Sequence, residues 1–212
     1  MIELDLSGKT ARVTGSTGEL GRVISRTLAR AGADVALHYH RSEEKARELA
    51  AEIVATGRRA FPVQADVTAE DEVAALHQAV TDELGPVSIL VTNAVIQYEW
   101  QPHPLEQPVE DFESQFRSCV LQNLLLARAC APDMEAAGWG RIVALNTECA
   151  MQCEPSQSAY VSGKRGMDGL LRSLARDLGR HGITVNQVAP GWTISEKHRG
   201  TDQERQPEYE SH

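Results

Sequence analysis

The sequence predicts a single α/β domain built on an open, doubly wound parallel sheet. Three observations carry this. Short apolar runs alternate with amphipathic helical runs along most of the chain, and a repeated strand–helix–strand order is satisfied by a parallel sheet with right-handed crossovers. Most of the apolar runs lack polar alternation, as strands covered on both faces require. The 212 residues, 42% of them apolar, suffice for one core.

The elements follow in order. A first strand at 11–13 runs into Thr14 and Gly15. Leu20, Val23, Ile24, Thr27, Leu28 and Ala31 then recur at spacings of three and four, a helical pattern closed by Gly32. Residues 35–37 read as the second strand. Ser42 is placed to cap the next helix, with Glu43 and Glu44 in a first turn whose dipole favours acids. Its buried stripe is expected to be Ala46, Leu49, Ala50, Ile53 and Val54, ending at Gly57. A third strand spans 61–67. Thr68 and Asp71 have the spacing of a capping box opening a helix through Leu84. A fourth strand at 87–91, a long helix over about 109–137, a fifth strand at 142–145, a helix over about 158–178 and a sixth strand at 183–188 complete the series. Arg12 is the misfit, a charged side chain in the middle of a strand that should be buried.

Composition narrows the function. A formal charge of −9 repels phosphate backbones, which argues against nucleic acid as a partner. No basic run suits an anionic membrane, and no stretch approaches the ~20 apolar residues that span a bilayer. Residues 1–9 lack the basic-then-apolar pattern of a secretory signal, so the expected location is the cytoplasm. Cys119, Cys130, Cys149 and Cys153 then read as thiols. The C-x3-C spacing of the last two, with no second pair, argues against zinc.

In sheets of this class, ligands bind beyond the carboxyl ends of the strands, where the strand order switches. After the first strand comes Thr14-Gly15-Ser16-Thr17-Gly18-Glu19-Leu20-Gly21. A glycine-rich turn there lets backbone approach a pyrophosphate and aims helix N–H groups at it. Gly15, Thr17, Gly18, Leu20 and Gly21 are the candidate contacts. The second strand ends in His38-Tyr39-His40-Arg41-Ser42. No acid is present to accept from the ribose hydroxyls of NAD, whereas Arg41 can pair with a 2′-phosphate, so NADP(H) is favoured over NAD(H). On the helix that follows the fifth strand, Tyr160 and Lys164 stand at i and i+4 and share a face, which sets a phenol beside an ammonium.

These segments together resemble the short-chain dehydrogenases/reductases, ketoacyl reductases in particular, from about residue 6 to 195. The resemblance implies a Rossmann fold. The family's T-G-x-x-x-G-x-G is kept at Thr14, Gly15 and Gly21; Glu19 stands at the middle glycine, with Gly18 one place early, and reads as an acid favouring the helix start. Asp66 and Val67 match the pair beside the adenine. Thr92-Asn93-Ala94-Val95 is similar to N-N-A-G but keeps only Asn93 and Ala94. By resemblance Tyr160 is the acid/base, and Lys164 holds the nicotinamide ribose and favours the tyrosinate. Thr147, thirteen residues before Tyr160, replaces a serine and keeps its hydroxyl. Cys119 replaces an asparagine that acts largely through its backbone carbonyl, holding a water in a proton relay to the lysine, and whose side chain supports a helix kink. Asn123 is one turn away and not aligned with it. Pro190, Gly191, Thr193 and Ser195 fall on the nicotinamide side, the last two where the family contacts the carboxamide.

The implied function is NAD(P)(H)-dependent interconversion of a small carbonyl compound and its alcohol. The departures at Glu19, Val95 and Cys119 motivate an alternative, a catalytically silent dinucleotide-binding sensor or scaffold; a lyase or epimerase reusing the tyrosine is a third. The resemblance also implies a homodimer or homotetramer formed through helices 109–137 and 158–178. Residues 1–195 form the expected dinucleotide-binding unit. The polar tail at 196–212, with Tyr209 its only large apolar side chain, is expected to be loosely ordered. The substrate pocket is expected near residues 96–105, which carry Tyr98 and Trp100.

Overall fold

A computed structural model describes residues 4–96, 103–191 and 193. Six strands, β1 (Thr10–Val13), β2 (Asp34–Tyr39), β3 (Ala60–Gln64), β4 (Val87–Thr92), β5 (Gly140–Leu145) and β6 (Ile183–Val188), form one parallel sheet in the order β3-β2-β1-β4-β5-β6. The order reverses between β1 and β4, which opens a crevice at their carboxyl ends. The helices are α1 (Glu19–Arg30), α2 (Glu43–Val54), α3 (Glu70–Leu84), α4 (Val109–Gln115), α5 (Gln122–Ala137), α6 (Glu148–Gln152) and α7 (Ser158–Leu178).

Alternation along each strand divides the core between the two faces. Ala11, Val13, Ile89 and Val91 pack with Leu49 and Ile53 of α2 on one face. Leu90 and Ile142 pack with Val80, Leu126, Met134, Met167 and Leu171 on the other. Arg12 faces this second side and is fully buried. Its Nη2 donates to the Cys130 thiol, while Nε and Nη1 have no hydrogen-bond partner among the described residues.

The long helix expected over 109–137 is α4 and α5 joined through a wider, π-type turn (Phe116–Leu121). Helix α7 has the bounds the periodicity predicts. Other expectations need correction. β3 stops at Gln64, because it pairs only with β2 and the ladder runs out at Tyr39. Asp66 and Val67 therefore lie in the loop beyond it. Thr68 does not cap α3: its N–H and hydroxyl both donate to Asp66 Oδ1, and Glu72, not Asp71, reaches back to the Asp66 N–H. Ser42 precedes α2 but makes no side-chain cap bond. Val23 and Val54 are more than half exposed, so the apolar stripes of α1 and α2 are narrower than their spacing suggests. Helix α6 is too short to leave a periodic signal. No described helix is long and apolar enough to cross a membrane.

Candidate active site

The turn from β1 into α1 is built for close backbone approach. Gly15 has φ +62°, and a Cβ on Gly21 would lie 2.2 Å from the Gly15 carbonyl oxygen; a side chain at either position is strained. The turn is stitched to the end of β4. Thr14 Oγ1 accepts from the N–H groups of Asn93 (2.9 Å) and Ala94 (3.1 Å), and Asn93 Nδ2 donates to the Thr14 and Gly15 carbonyls. Below it stands His38, which the sequence does not single out. Its Nδ1 accepts from Gly15 N–H at 3.1 Å and its Nε2 donates to Ala65 O at 2.9 Å. Acceptance at Nδ1 requires the neutral ring, and burial lowers the His38 pKa to about 4.

Above the turn lies a cleft of about 630 Å³, lined by Gly15, Thr17, Gly18, His40, Arg41 and Asn93 among others. A smaller hollow of about 120 Å³ adjoins it, walled by Asp66, Val67 and Gln122. Val95 lines both. Burial pulls the Asp66 carboxyl up, but the two Thr68 hydrogen bonds outweigh it and hold the group below the usual range. Glu19 opens α1 and is not among the residues lining the cleft. Leu20 is 40% exposed on α1. Bare glycine backbone, a helix start and a rim that carries Arg41 and, among the described residues, no carboxylate fit a dinucleotide diphosphate.

The chemical groups gather beside β5. Asn146 follows the strand; its N–H donates to Val188 O, and its Nδ2 to Gln187 Oε1 at 2.7 Å. Gln187 Nε2 in turn donates to Asp168 Oδ1 of α7 at 2.8 Å. This chain fixes Thr147, which caps α6 by accepting from Cys149 N–H at 3.3 Å. Lys164 is 6% exposed and donates to the Leu145 carbonyl. Its Nζ lies 5.7 Å from the centre of the half-buried Tyr160 ring. Burial lowers the Lys164 pKa, and the Cys119 thiol opposes this in part. Cys119 lies in the π-type turn, 1% exposed, its own pKa raised by burial and drawn down by Lys164. The Pro190 carbonyl accepts from Glu148 N–H, and Thr193 Oγ1 donates to Gly191 O. Ser195, Tyr98, Trp100 and the tail at 196–212 lie outside the described residues.

A phenol, an ammonium and a hydroxyl thus stand at the carboxyl end of β5, in the sheet whose β1, β2 and β4 ends line the cleft. The family model of the short chain dehydrogenases matches residues 9–206. The chain belongs to that family. Among its relatives is the D-beta-hydroxybutyrate dehydrogenase of Rhizobium meliloti, 32% identical over 188 residues that cover 88% of this chain and 72% of the relative. Two solved structures of short-chain dehydrogenases superpose closely. A 7α-hydroxysteroid dehydrogenase complexed with NADH and 7-oxo glycochenodeoxycholic acid gives a TM-score of 0.84 at 33% identity, covering 93% of this chain and 76% of the other. A metagenomic short-chain oxidoreductase in complex with NADP gives 0.81 at 34%, covering 88% and 84%. One of these short-chain dehydrogenases holds NADH and the other NADP, so family membership alone does not decide the nucleotide.

Proposed function

We propose that this short-chain dehydrogenase is an NADP(H)-preferring oxidoreductase that interconverts a small carbonyl compound and its alcohol. The reading is supported by Tyr160, Lys164 and Thr147 standing together at the carboxyl end of β5, in the same sheet whose β1, β2 and β4 ends line the cleft. The backbone of Gly15, Thr17 and Gly18, with Leu20 and Gly21 opening α1, holds the diphosphate. Asp66 and Val67 hold the adenine. Arg41, with His40 and Ser42, receives the 2′-phosphate; the absence of an acid among the described residues of this rim supports NADP(H). Asn93 and Ala94 carry the wall between the turn and the nicotinamide end, Pro190 and Gly191 stand on the nicotinamide side, and Thr193 and Ser195 hold the carboxamide.

The nicotinamide, when bound, supplies or accepts the hydride at the carbonyl carbon. The chain's own residues manage the oxygen. Thr147 Oγ1 already accepts from Cys149 N–H, so its O–H remains to donate to the substrate oxygen. Tyr160 gives that oxygen its proton during reduction and takes it back during oxidation. Free tyrosine ionises near pH ~10, and the Lys164 ammonium beside the ring stabilises the phenolate. A lysine whose burial loosens its own proton also serves as the next station of a relay.

Three features favour turnover over a silent sensor. The phenol–ammonium–hydroxyl set is complete, Glu19 stands off the cleft, and the π-type turn persists despite the loss of asparagine at 119. Tyr160→Phe is expected to abolish turnover while leaving NADPH affinity within about twofold; undiminished turnover overturns the assignment. Arg41→Ala is expected to weaken NADPH binding about tenfold and leave NADH unchanged. We also expect self-association through the long helices. Phe112, Phe116 and Leu121 share a groove of about 510 Å³ with Ser162 and Gly163, and Phe116 is 50% exposed. A monomer by sedimentation at micromolar concentration contradicts this.

A further inference from the structure

The turn facing Lys164 is held by a residue that has no part in the motif reading. Asn123 is 2% exposed, in the first turn of α5. Its Nδ2 donates to the Cys119 carbonyl at 2.7 Å, and its Oδ1 accepts from Thr92 Oγ1 at 2.6 Å. Thr92 is 3% exposed and ends β4, directly before Asn93, which carries the cofactor turn. Three buried polar groups thus form one satisfied chain from the strand to the carbonyl in the π-type turn. A carboxamide this deep is costly unless both of its ends are paired, and here both are. The turn it grips is pressed on α7: a Cβ on Gly166 would lie 3.0 Å from Val120 Cγ2 of the turn, and Gly163, one residue before Lys164, lies against the carbonyl of Gln115, which leads into the turn. Cys119 occupies the place of an asparagine, and the carboxamide one turn later grips the same stretch of backbone.

We propose that Asn123 is a positioning residue of the reaction: by anchoring the Cys119 carbonyl to Thr92 it fixes the π-type turn against Lys164, and so sets where the ammonium stands beneath Tyr160. The inference rests on the oxidoreductase reading for its rates but not for its electrostatics. Among the described residues, the groups that bear on Lys164 are the Cys119 thiol from the π-type turn, the Leu145 carbonyl from β5 and the Tyr160 ring one turn away on α7. With the turn loose, the ammonium is less fixed and the phenolate less favoured.

Asn123→Leu keeps the volume and removes both hydrogen bonds. It is expected to lower kcat about tenfold with KM unchanged, and to move the inflection of the pH profile for alcohol oxidation to higher pH by about half a unit or more. Asn123→Thr, whose hydroxyl can donate to the carbonyl four residues back, is expected to restore most of the rate. Thr92→Val, which leaves Asn123 in place without its anchor, gives the same direction of change should the leucine variant fold poorly. The ultraviolet titration of the Tyr160 phenol, taken as the difference from Tyr160→Phe in each background, needs no turnover and must show the same upward displacement. If the parent protein turns over no substrate, the oxidoreductase reading falls while this titration still decides the role of Asn123. A folded Asn123→Leu protein with the parent's phenol titration and, where rates are measurable, the parent's kcat and pH profile overturns the proposal.

Discussion

Among the described residues two cations are buried, each near a cysteine. Lys164 faces Cys119 at the carboxyl end of the sheet; Arg12 contacts Cys130 in the middle of β1. Lys164 has the Leu145 carbonyl as acceptor, a phenol ring 5.7 Å away, and a crevice beyond the strands. Arg12 is 0% exposed with two donor atoms unsatisfied. Nearby, burial first and Arg12 second pull the His77 ring toward its neutral form, although Asp133 lies 3.4 Å away. The difference is one of place. Strand ends offer free carbonyls and loop groups that satisfy a buried charge; the middle of a parallel strand has already committed its backbone to the ladder. A buried cation at a strand end can be sustained and used, whereas one in mid-strand destabilises the fold.

The comparison can be broken or sharpened by experiment. The largest effect is expected at the strand end: Lys164→Met should lower turnover by about a hundredfold or more while circular dichroism shows the fold intact. A comparable loss in Arg12→Met would erase the distinction between the two sites. His38 comes next. Its folded pKa is lowered by burial to about 4 from the ordinary 6.5, so the unfolded chain takes up a proton first as pH falls. The stability it secures is whole above about pH 6.5 and lost down to about pH 4, on the order of 3 kcal/mol. Urea denaturation of the parent and of His38→Gln across that range measures it; parallel curves would contradict it. Third, Arg12→Met is expected to raise stability by about 1–3 kcal/mol without changing turnover. Destabilisation would show instead that the contact with Cys130 binds α5 to the sheet. Smallest, Thr147→Ser should leave kcat within about threefold, because the hydroxyl remains; a loss as large as that of Thr147→Val would mean that the methyl, not the hydroxyl, is the working part.

What was legible in the sequence follows the range of the interactions involved. Tyr160 and Lys164 lie on one turn of one helix, so their spacing alone announces the pair, and the bounds of α7 follow from its stripe. The end of β3 is not local: it depends on where β2 stops at Tyr39. Thr68 has the spacing of a cap, yet Asp66, two residues back, takes its hydroxyl first. His38 and Gly15 are 23 residues apart and Thr92 and Asn123 are 31 apart; no periodicity connects such pairs. One signal for the second was present. Gln122 and Asn123 are amides just ahead of three consecutive leucines in a helix otherwise bound for the core, and a buried amide demands partners. Arg12 was visible as an oddity, but its orphaned donors follow only from the packing of α5 on β1.

The most direct test of the account is the thermal shift of the purified chain with NADPH and with NADH, each at about 100 times its dissociation constant. Binding at that level should stabilise the fold by ~2.7 kcal/mol. A clear rise in Tm with NADPH, matched by NADH only at a higher concentration, is the result expected of a glycine turn that works despite Glu19 and a rim led by Arg41. No rise with either nucleotide would contradict the assignment of the cleft, and the oxidoreductase reading with it.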